Sequence, residues 1–312
     1  MKYKAHQSFF LRKGWLSKGM RALKGNPSIF MPSNSKQAMD ELGLGANQVM
    51  ALRYWMVAMG LMEKTGAVHT AQPLMDLIFD NDRYVEELGT LWALHYELAC
   101  NKKEATSWYW LFNKSKAKSF TKEDITTGIK KYDEMYNQEN AASGKSTALG
   151  SIESDVDCIL RTYIPSERLT GRDASPESVI DSPLGDLGIL DIENIAEAST
   201  KGGSRFYRKK PASTSSLPTI MVLYAILGQI QQCEQSGHPL GKEVLIEDLL
   251  SGRFSPGRLF NLDSVDLLDR LYELENDGYL RLNRTAGSDV VRIEDPSMSR
   301  IECLQKYYEI IG

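Results

Sequence analysis

The chain has no apolar stretch near the roughly 20 residues a bilayer span needs; its longest, 220–227, stops after eight residues. No membrane span is therefore expected. The opening Met1-Lys2-Tyr3-Lys4-Ala5-His6-Gln7 carries charge but leads into no apolar run with a small-residue cleavage site, so no secretory signal is read and a cytoplasmic location is expected. Its four cysteines, Cys100, Cys158, Cys233 and Cys303, lie far apart and form no CxxC pair. That excludes a zinc ribbon or a thioredoxin-like site and leaves buried thiols. The histidines His6, His69, His95 and His238 are equally scattered, with no two at helical ligand spacing, so neither a metal nor another cofactor is expected.

Acids are missing from the first 25 residues, which hold Lys2, Lys4, Arg12, Lys13, Lys18, Arg21 and Lys24. Through residue 70 the balance is +7, in a chain whose net charge is −4, so the remainder carries −11. A basic end on an acidic protein is the footprint of local polyanion binding, and solubility alone would also produce it. What is present otherwise is ordinary for a folded protein: 312 residues, 42% hydrophobic and 25% charged, enough for two or three domains with a substantial core.

The expected fold is mainly α, with two winged helix-turn-helix modules joined by an aromatic-rich helical region. Over 36–42, Ala38 and Leu42 are spaced for burial behind Ser33 and Ser35 as N-cap candidates. Gly43-Leu44-Gly45 breaks this helix, and Val49, Leu52, Met56 and Met59 recur along one face of a second over 46–59. Gly60 stops it, 61–70 reads as two short strands around Gly66, and Pro73 opens another helix. Helix, tight turn, helix, wing and helix is the order of a winged helix. The order recurs in the last third, with helices over 218–232, 244–250 and 263–276 and a hairpin pairing 279–283 with 290–294. Four segments follow from this pattern: 1–80, the basic segment and first winged helix; 81–164, a helical packing region that includes Trp92, Trp108 and Trp110; 165–216, a loop-rich connection; and 217–312, the second winged helix.

Catalytic patterns do not assemble. Ser143-Gly144-Lys145-Ser146-Thr147 looks like the tail of a phosphate-binding loop, but Glu139 stands where that pattern needs its first glycine. Asp155 and Asp157, with Asp181, invite a paired-carboxylate reading. Being two apart, the first two face different ways on a helix, and acids favoured at a helix N-terminus explain them more simply. No nucleophile, base and orienting group come together, so no enzyme is expected.

Binding chemistry is more legible. Phe9-Phe10-Leu11-Arg12-Lys13-Gly14-Trp15-Leu16-Ser17-Lys18 interleaves cations with aromatics, so Arg12, Lys13, Lys18 and Arg21 are candidate phosphate contacts, with Phe10 and Trp15 as anchors. A solvated helix edge is the competing reading. The outward stripe of the first recognition helix is expected to hold Asn47, Met50, Ala51, Tyr54 and Ala58, which nominates Asn47 and Tyr54 for base or sugar contact and Lys64 in the wing for phosphate. Arg205, Arg208, Lys209 and Lys210 form a second basic segment. The second recognition helix is acidic: Asp263, Asp266, Asp269 and Glu273 would be repelled from a phosphate-lined groove and suit a protein partner instead.

Several of these strings occur together in one known family. His6-x-x-Phe9-x-x-Arg12-x-Gly14-Trp15-x-x-Lys18-Gly19, Ala51-Leu52-Arg53-Tyr54-Trp55, Gly89-Thr90-Leu91-Trp92-x-Leu94-His95-Tyr96, Trp108-Tyr109-Trp110-x-Phe112-Asn113 and Asp155-Val156-Asp157-x-x-Leu160-Arg161-Thr162-Tyr163 resemble the uncharacterised prokaryotic family DUF4007 along nearly the whole chain. Members of that family tend to be encoded beside PAPS-reductase-like sulfur-transfer proteins and DNA-phosphorothioation or phage-defence genes. The resemblance thus implies a DNA-modification or defence role and supplies no reaction. The expectation is a non-catalytic DNA-binding subunit presenting duplex DNA to a sulfur-transfer or nuclease partner. A protein-protein adaptor and an autonomous transcription regulator are the alternatives.

Overall fold

The computed structural model describes all residues except 67, 140–145, 171–180, 194–204, 242 and 286–287. The fold is mainly helical. Packing divides the chain into two units, 1–86 with 97–210 and 87–96 with 211–312.

The first unit begins with α1 (Trp15–Gly25), α2 (Ser35–Leu42) and α3 (Ala46–Ala58). An antiparallel hairpin of β1 (Met62–Thr65) and β2 (Val68–Ala71) follows, then α4 (Pro73–Asn81), opened by its proline. Ser33 and Ser35 do not cap α2: Asn34 occupies that position and its side chain makes no capping bond. The helix instead grows out of a 3-10 turn, Pro32–Asn34. α1 buries Trp15, Leu16, Met20 and Leu23, and crosses α3 so closely that a Cβ at Gly19 would lie 2.4 Å from Met56 Sδ. Any larger residue there would have to push the Met56 side chain aside.

After α5 (Leu88–Cys100), whose residues through Tyr96 belong to the second unit, the first unit resumes with α6 (Thr106–Tyr109) and a π-helical turn, Trp110–Lys114. Next come β3 (Ser119–Thr121), α7 (Lys122–Glu139), α8 (Leu149–Tyr163), α9 (Ser166–Thr170), β4 (Leu190–Ile192) and β5 (Phe206–Lys209). The start of α7 is a reciprocal cap, with the Thr121 N–H donating to Asp124 Oδ2 at 2.8 Å and the Asp124 N–H to Thr121 Oγ1 at 3.2 Å. β5 pairs antiparallel with both β3 and β4. This small sheet has no local pattern behind it, because its strands have only three or four residues and β3 comes from a distant part of the chain.

The second unit holds α10 (Thr219–Gln235), β6 (Glu243–Leu245), α11 (Ile246–Ser251), α12 (Pro256–Leu259), α13 (Ser264–Asn276), β7 (Leu280–Thr285), β8 (Ser288–Ile293) and α14 (Arg300–Ile311). Its sheet runs β6-β8-β7, all antiparallel. Leu267, Leu271 and Leu274 point inward from α13, as their spacing requires. His95 and Trp92 of α5 lie within this core, with His95 Nε2 bonded to the Leu259 carbonyl at 2.8 Å and the Trp92 indole N–H to that of Ser216 at 2.6 Å. Among the described residues no helix is long and apolar enough to cross a membrane.

Candidate nucleic-acid interface

The basic N-terminal segment is fastened to the first unit by one buried carboxylate. Asp155, mid-way along α8, accepts the Lys4 backbone N–H at 2.7 Å and His6 Nε2–H at 2.9 Å on Oδ1, and the Ser107 hydroxyl at 2.5 Å on Oδ2. His6 and Ser107 are fully buried and Asp155 is 2% exposed. A charge there is tolerated only because each lone pair it turns inward finds a donor. The bonds also hold a backbone that would not persist alone, since Lys4, Gln7 and Ser8 take positive φ values of 56°, 51° and 65°. Non-glycine residues there cost roughly 1–3 kcal/mol each. Asp155 is therefore a mid-helix anchor, not an N-terminal acid, while Asp157 faces out and pairs with Lys122, so the two do separate onto different faces.

From this anchor the segment runs across α3. The Phe9 carbonyl accepts the Trp55 indole N–H at 3.2 Å, and the His6 ring meets Tyr54, Trp55 and Trp108 at centroid distances of 6.0, 6.5 and 6.0 Å. That coverage corrects the stripe expected on α3. Ala51, Tyr54 and Ala58 are buried, and burial, reinforced by Asp155, raises the Tyr54 phenol well above its usual range. Tyr54 is not available to a groove. Only the first turn of α3 offers the expected surface, with Asn47 and Met50 exposed. Burial likewise raises the Cys158 thiol, so it is no poised nucleophile.

Phe10 and Trp15 are the anchors expected of them, each 5% exposed. Arg12 lies over both rings, 5.7 Å and 5.8 Å from their centres. With Lys13, Gly14, Leu16 and Ser17 it lines a cleft of about 380 Å³ closed on the other side by Tyr84, Val85, Glu86, Pro183 and Asp186. Gly14, at φ 80°, starts α1 with no side-chain cap and no acid in the first turn. The end of this helix is thus electropositive and open.

The other nominated cations fare unevenly. Arg21, Lys64 and Arg208 are exposed. Lys13 Nζ pairs with Asp186 at 2.8 Å, and Lys18 Nζ donates to the Leu42 carbonyl at 3.1 Å, closing the end of α2. Arg205 bonds the Leu169 carbonyl and lines a second cleft with Thr121, Lys122, Glu123 and Tyr207. Lys209 is a correction: its Nζ turns inward to the Leu111 and Ser115 carbonyls at 2.6 and 3.0 Å, where it satisfies the end of the π-helical turn. Lys210 pairs with Asp191 at 3.6 Å. Of the phosphate-loop-like string, 143–145 lie outside the described residues, and Lys130 holds Ser146 and the Thr147 carbonyl.

In the second unit, Asp263 is the N-cap of α13, accepting the Val265 and Asp266 N–H groups at 2.9 Å each, and Glu273 takes the Thr219 hydroxyl. Asp269 is exposed and Asp266 partly so. Arg270, the one base on α13, is 7% exposed and bonds Thr219 Oγ1 and the Thr214 carbonyl.

Among the described residues no three His, Cys, Asp or Glu side chains converge in a metal-holding group. The profile of the family described as protein of unknown function DUF4007 matches residues 3–308. The chain belongs to this family. The DUF4007 chain is also similar to two crystal structures of SspB, one of them magnesium ion-bound, at 23% and 24% identity and a TM-score of 0.75 for each. Each match covers 99% of this chain and 94% of the other. No curated protein gives a significant match to the DUF4007 chain.

Proposed function

We propose that the protein is a non-catalytic DNA-binding subunit of a DNA-modification system of the phosphorothioation type or of a phage-defence system. In this reading it holds duplex DNA for a PAPS-reductase-like sulfur-transfer protein, a nuclease or another subunit of the same system, in the cytoplasm. The observation that carries it is the run of cations from the half-buried Arg12 to the exposed Arg21, leading into and along a helix with no acid and an open N-terminus. Both units are read as winged helix-turn-helix modules. In the first, α1, α2 and α3 lead into the β1–β2 hairpin; in the second, α10, α11 and α13 lead into the β7–β8 hairpin, with β6 paired alongside it. The contact surface assigned is Arg12, Arg21, Lys64, Arg208 and Asn47; the buried Tyr54 and inward-turned Lys209 are removed, as are Lys13, Lys18, Arg205 and Lys210, which are engaged within the protein.

The test is fluorescence anisotropy of a labelled duplex across a potassium chloride series. Binding should weaken linearly in log–log form, by a slope of about 0.9 for each phosphate neutralised. Absent or salt-indifferent binding, alone and with a co-purified partner, overturns the reading. An adaptor role is the second reading. It is favoured by α13, whose base is turned inward and whose Asp269 and Val265 are exposed, a face suited to a basic protein.

A further inference from the structure

Phe10 is shared by two guanidinium groups. Arg12 Cζ lies 5.7 Å from its ring centre and Arg161 Cζ, from the last turn of α8, lies 4.5 Å from it. The residues are far apart in sequence, and nothing in the charge pattern near 161 marks that position. Three of the neighbouring acids are already engaged, and Glu86, which lines the same cleft as Arg12, makes no ion pair with it. Asp157, one turn before Arg161, is taken by Lys122; Asp186 is taken by Lys13; Asp181 Oδ1 accepts the Ser166 N–H at 2.9 Å. Among the described residues neither Arg12 nor Arg161 has a carboxylate within ion-pairing distance.

Two like charges drawn to one ring with no counter-ion among the described residues repel, and the arrangement is relieved by an anion that takes both. The aromatic face suits the purpose. It holds the plane of a guanidinium and leaves the N–H edge free, which is the edge that matches two oxygens of a phosphate. Arg161 is exposed and Arg12 half-buried at the rim of the cleft beside α1.

We infer that Arg12 and Arg161, gathered on Phe10, form a two-arginine clamp for a phosphodiester of the DNA backbone. The clamp rests on the DNA-binding reading and adds to it a residue from α8. It fixes register on the duplex and reads no base, since phosphate oxygens carry no sequence information.

The experiment uses the full chain, with anisotropy against labelled duplex DNA over a salt series for wild type, Arg161→Ala, Arg161→Lys and Arg12→Ala. Thermal melts establish that each variant is folded. Arg161→Ala should flatten the salt slope by about 0.9 and weaken low-salt binding about tenfold, equally for unrelated sequences. Arg161→Lys should restore the slope but not the affinity, because an ammonium replaces the charge and not the fork. DNA binding with an unchanged slope and affinity in Arg161→Ala overturns the clamp and leaves the DNA-binding reading standing. A second readout follows the arginine Nε–H resonances during titration with pyrophosphate. Joint movement of Arg12 and Arg161, lost in either alanine variant, supports the clamp as an anion site even if wild type binds no duplex, in which case only the DNA reading falls. No movement together with no duplex binding overturns both.

Discussion

α1 and α13 are helices of similar length that treat charge in opposite ways. α1 carries Lys18, Arg21 and Lys24 and no acid, and starts at Gly14 with no side-chain cap. α13 carries Asp266, Asp269, Glu273 and Glu275 against Arg270, and its N-terminus is closed by Asp263. Both bury an apolar stripe, so the difference is not about packing. Within α13, Glu273 and Glu275 sit in the last turns, where the macrodipole disfavours them, and each is accounted for: one bonds Thr219 and the other accepts the Leu282 N–H at 2.7 Å. The carboxylates of Asp266 and Asp269 have no such internal task. The first unit thus keeps cations in hand at Arg12 and Arg21, and the second keeps anions.

The strongest way to break the contrast is to detach the cationic segment. Asp155→Ala leaves the Lys4 N–H, His6 and Ser107 without their acceptor in a dry site, and should destabilise the protein by about 3–5 kcal/mol in urea unfolding. If DNA binding is measured below the variant's transition, it should also weaken, since the segment through Arg12 loses its anchor. A loss under 1 kcal/mol would show that α1 packing alone holds the segment.

The second unit should be broken by acid instead. Burial pushes His95 down to about 4, from an ordinary 6.5, so the unfolded chain takes up this proton first as the pH falls. Stability from a depressed histidine is complete above about 6.5 and is lost progressively between 6.5 and 4. Wild type should therefore lose on the order of 3 kcal/mol across that window relative to His95→Gln, followed by denaturant unfolding at a series of pH values. Parallel pH profiles would remove His95 as the acid-sensitive group. A smaller effect sharpens the contrast in helix ends: Ser299 caps α14 reciprocally with Glu302, and Ser299→Ala should cost about 1 kcal/mol. A melting temperature unchanged from wild type would show that packing alone holds that helix end.

How far the sequence could be read depended on the range of the interactions. α2, α3, the β1–β2 hairpin, α7, α10 and α13 are legible because apolar period, glycine stops and caps are local signals. The β3-β5-β4 sheet was not, since strands of three or four residues are too short to show a period, and β3 pairs with β5 across 85 to 89 positions. Tyr54 was misplaced for a related reason. Helical period identifies faces, but α3 is covered on two sides, and the second cover is a non-helical segment with left-handed residues at Gln7 and Ser8. Arg12 was readable from its basic, aromatic neighbourhood. Arg161 was not, because its partner ring is supplied by Phe10; the only trace was its presence in the 155–163 string that marks the family.

The smallest effect on stability, and the most informative about division of labour, is expected at Asp266 and Asp269. Among the described residues neither carboxylate has a hydrogen bond or ion pair, so Asp266→Lys with Asp269→Lys should move the unfolding free energy by no more than about 0.5 kcal/mol per site. Duplex affinity and salt slope should stay near wild type, since no phosphate contact is assigned to α13. Association with the basic protein partner proposed above, followed by co-purification and by titration, should fall sharply, because the reversal sets like charges against it. The opposite pattern would exchange the roles of the two units. If the reversed helix strengthened DNA binding and left partner association intact, α13 would lie near the phosphates after all, its acids acting as a brake on affinity. Arg12→Ala with Arg21→Ala separates these outcomes, for that pair should flatten the salt slope by about two while leaving the protein complex assembled.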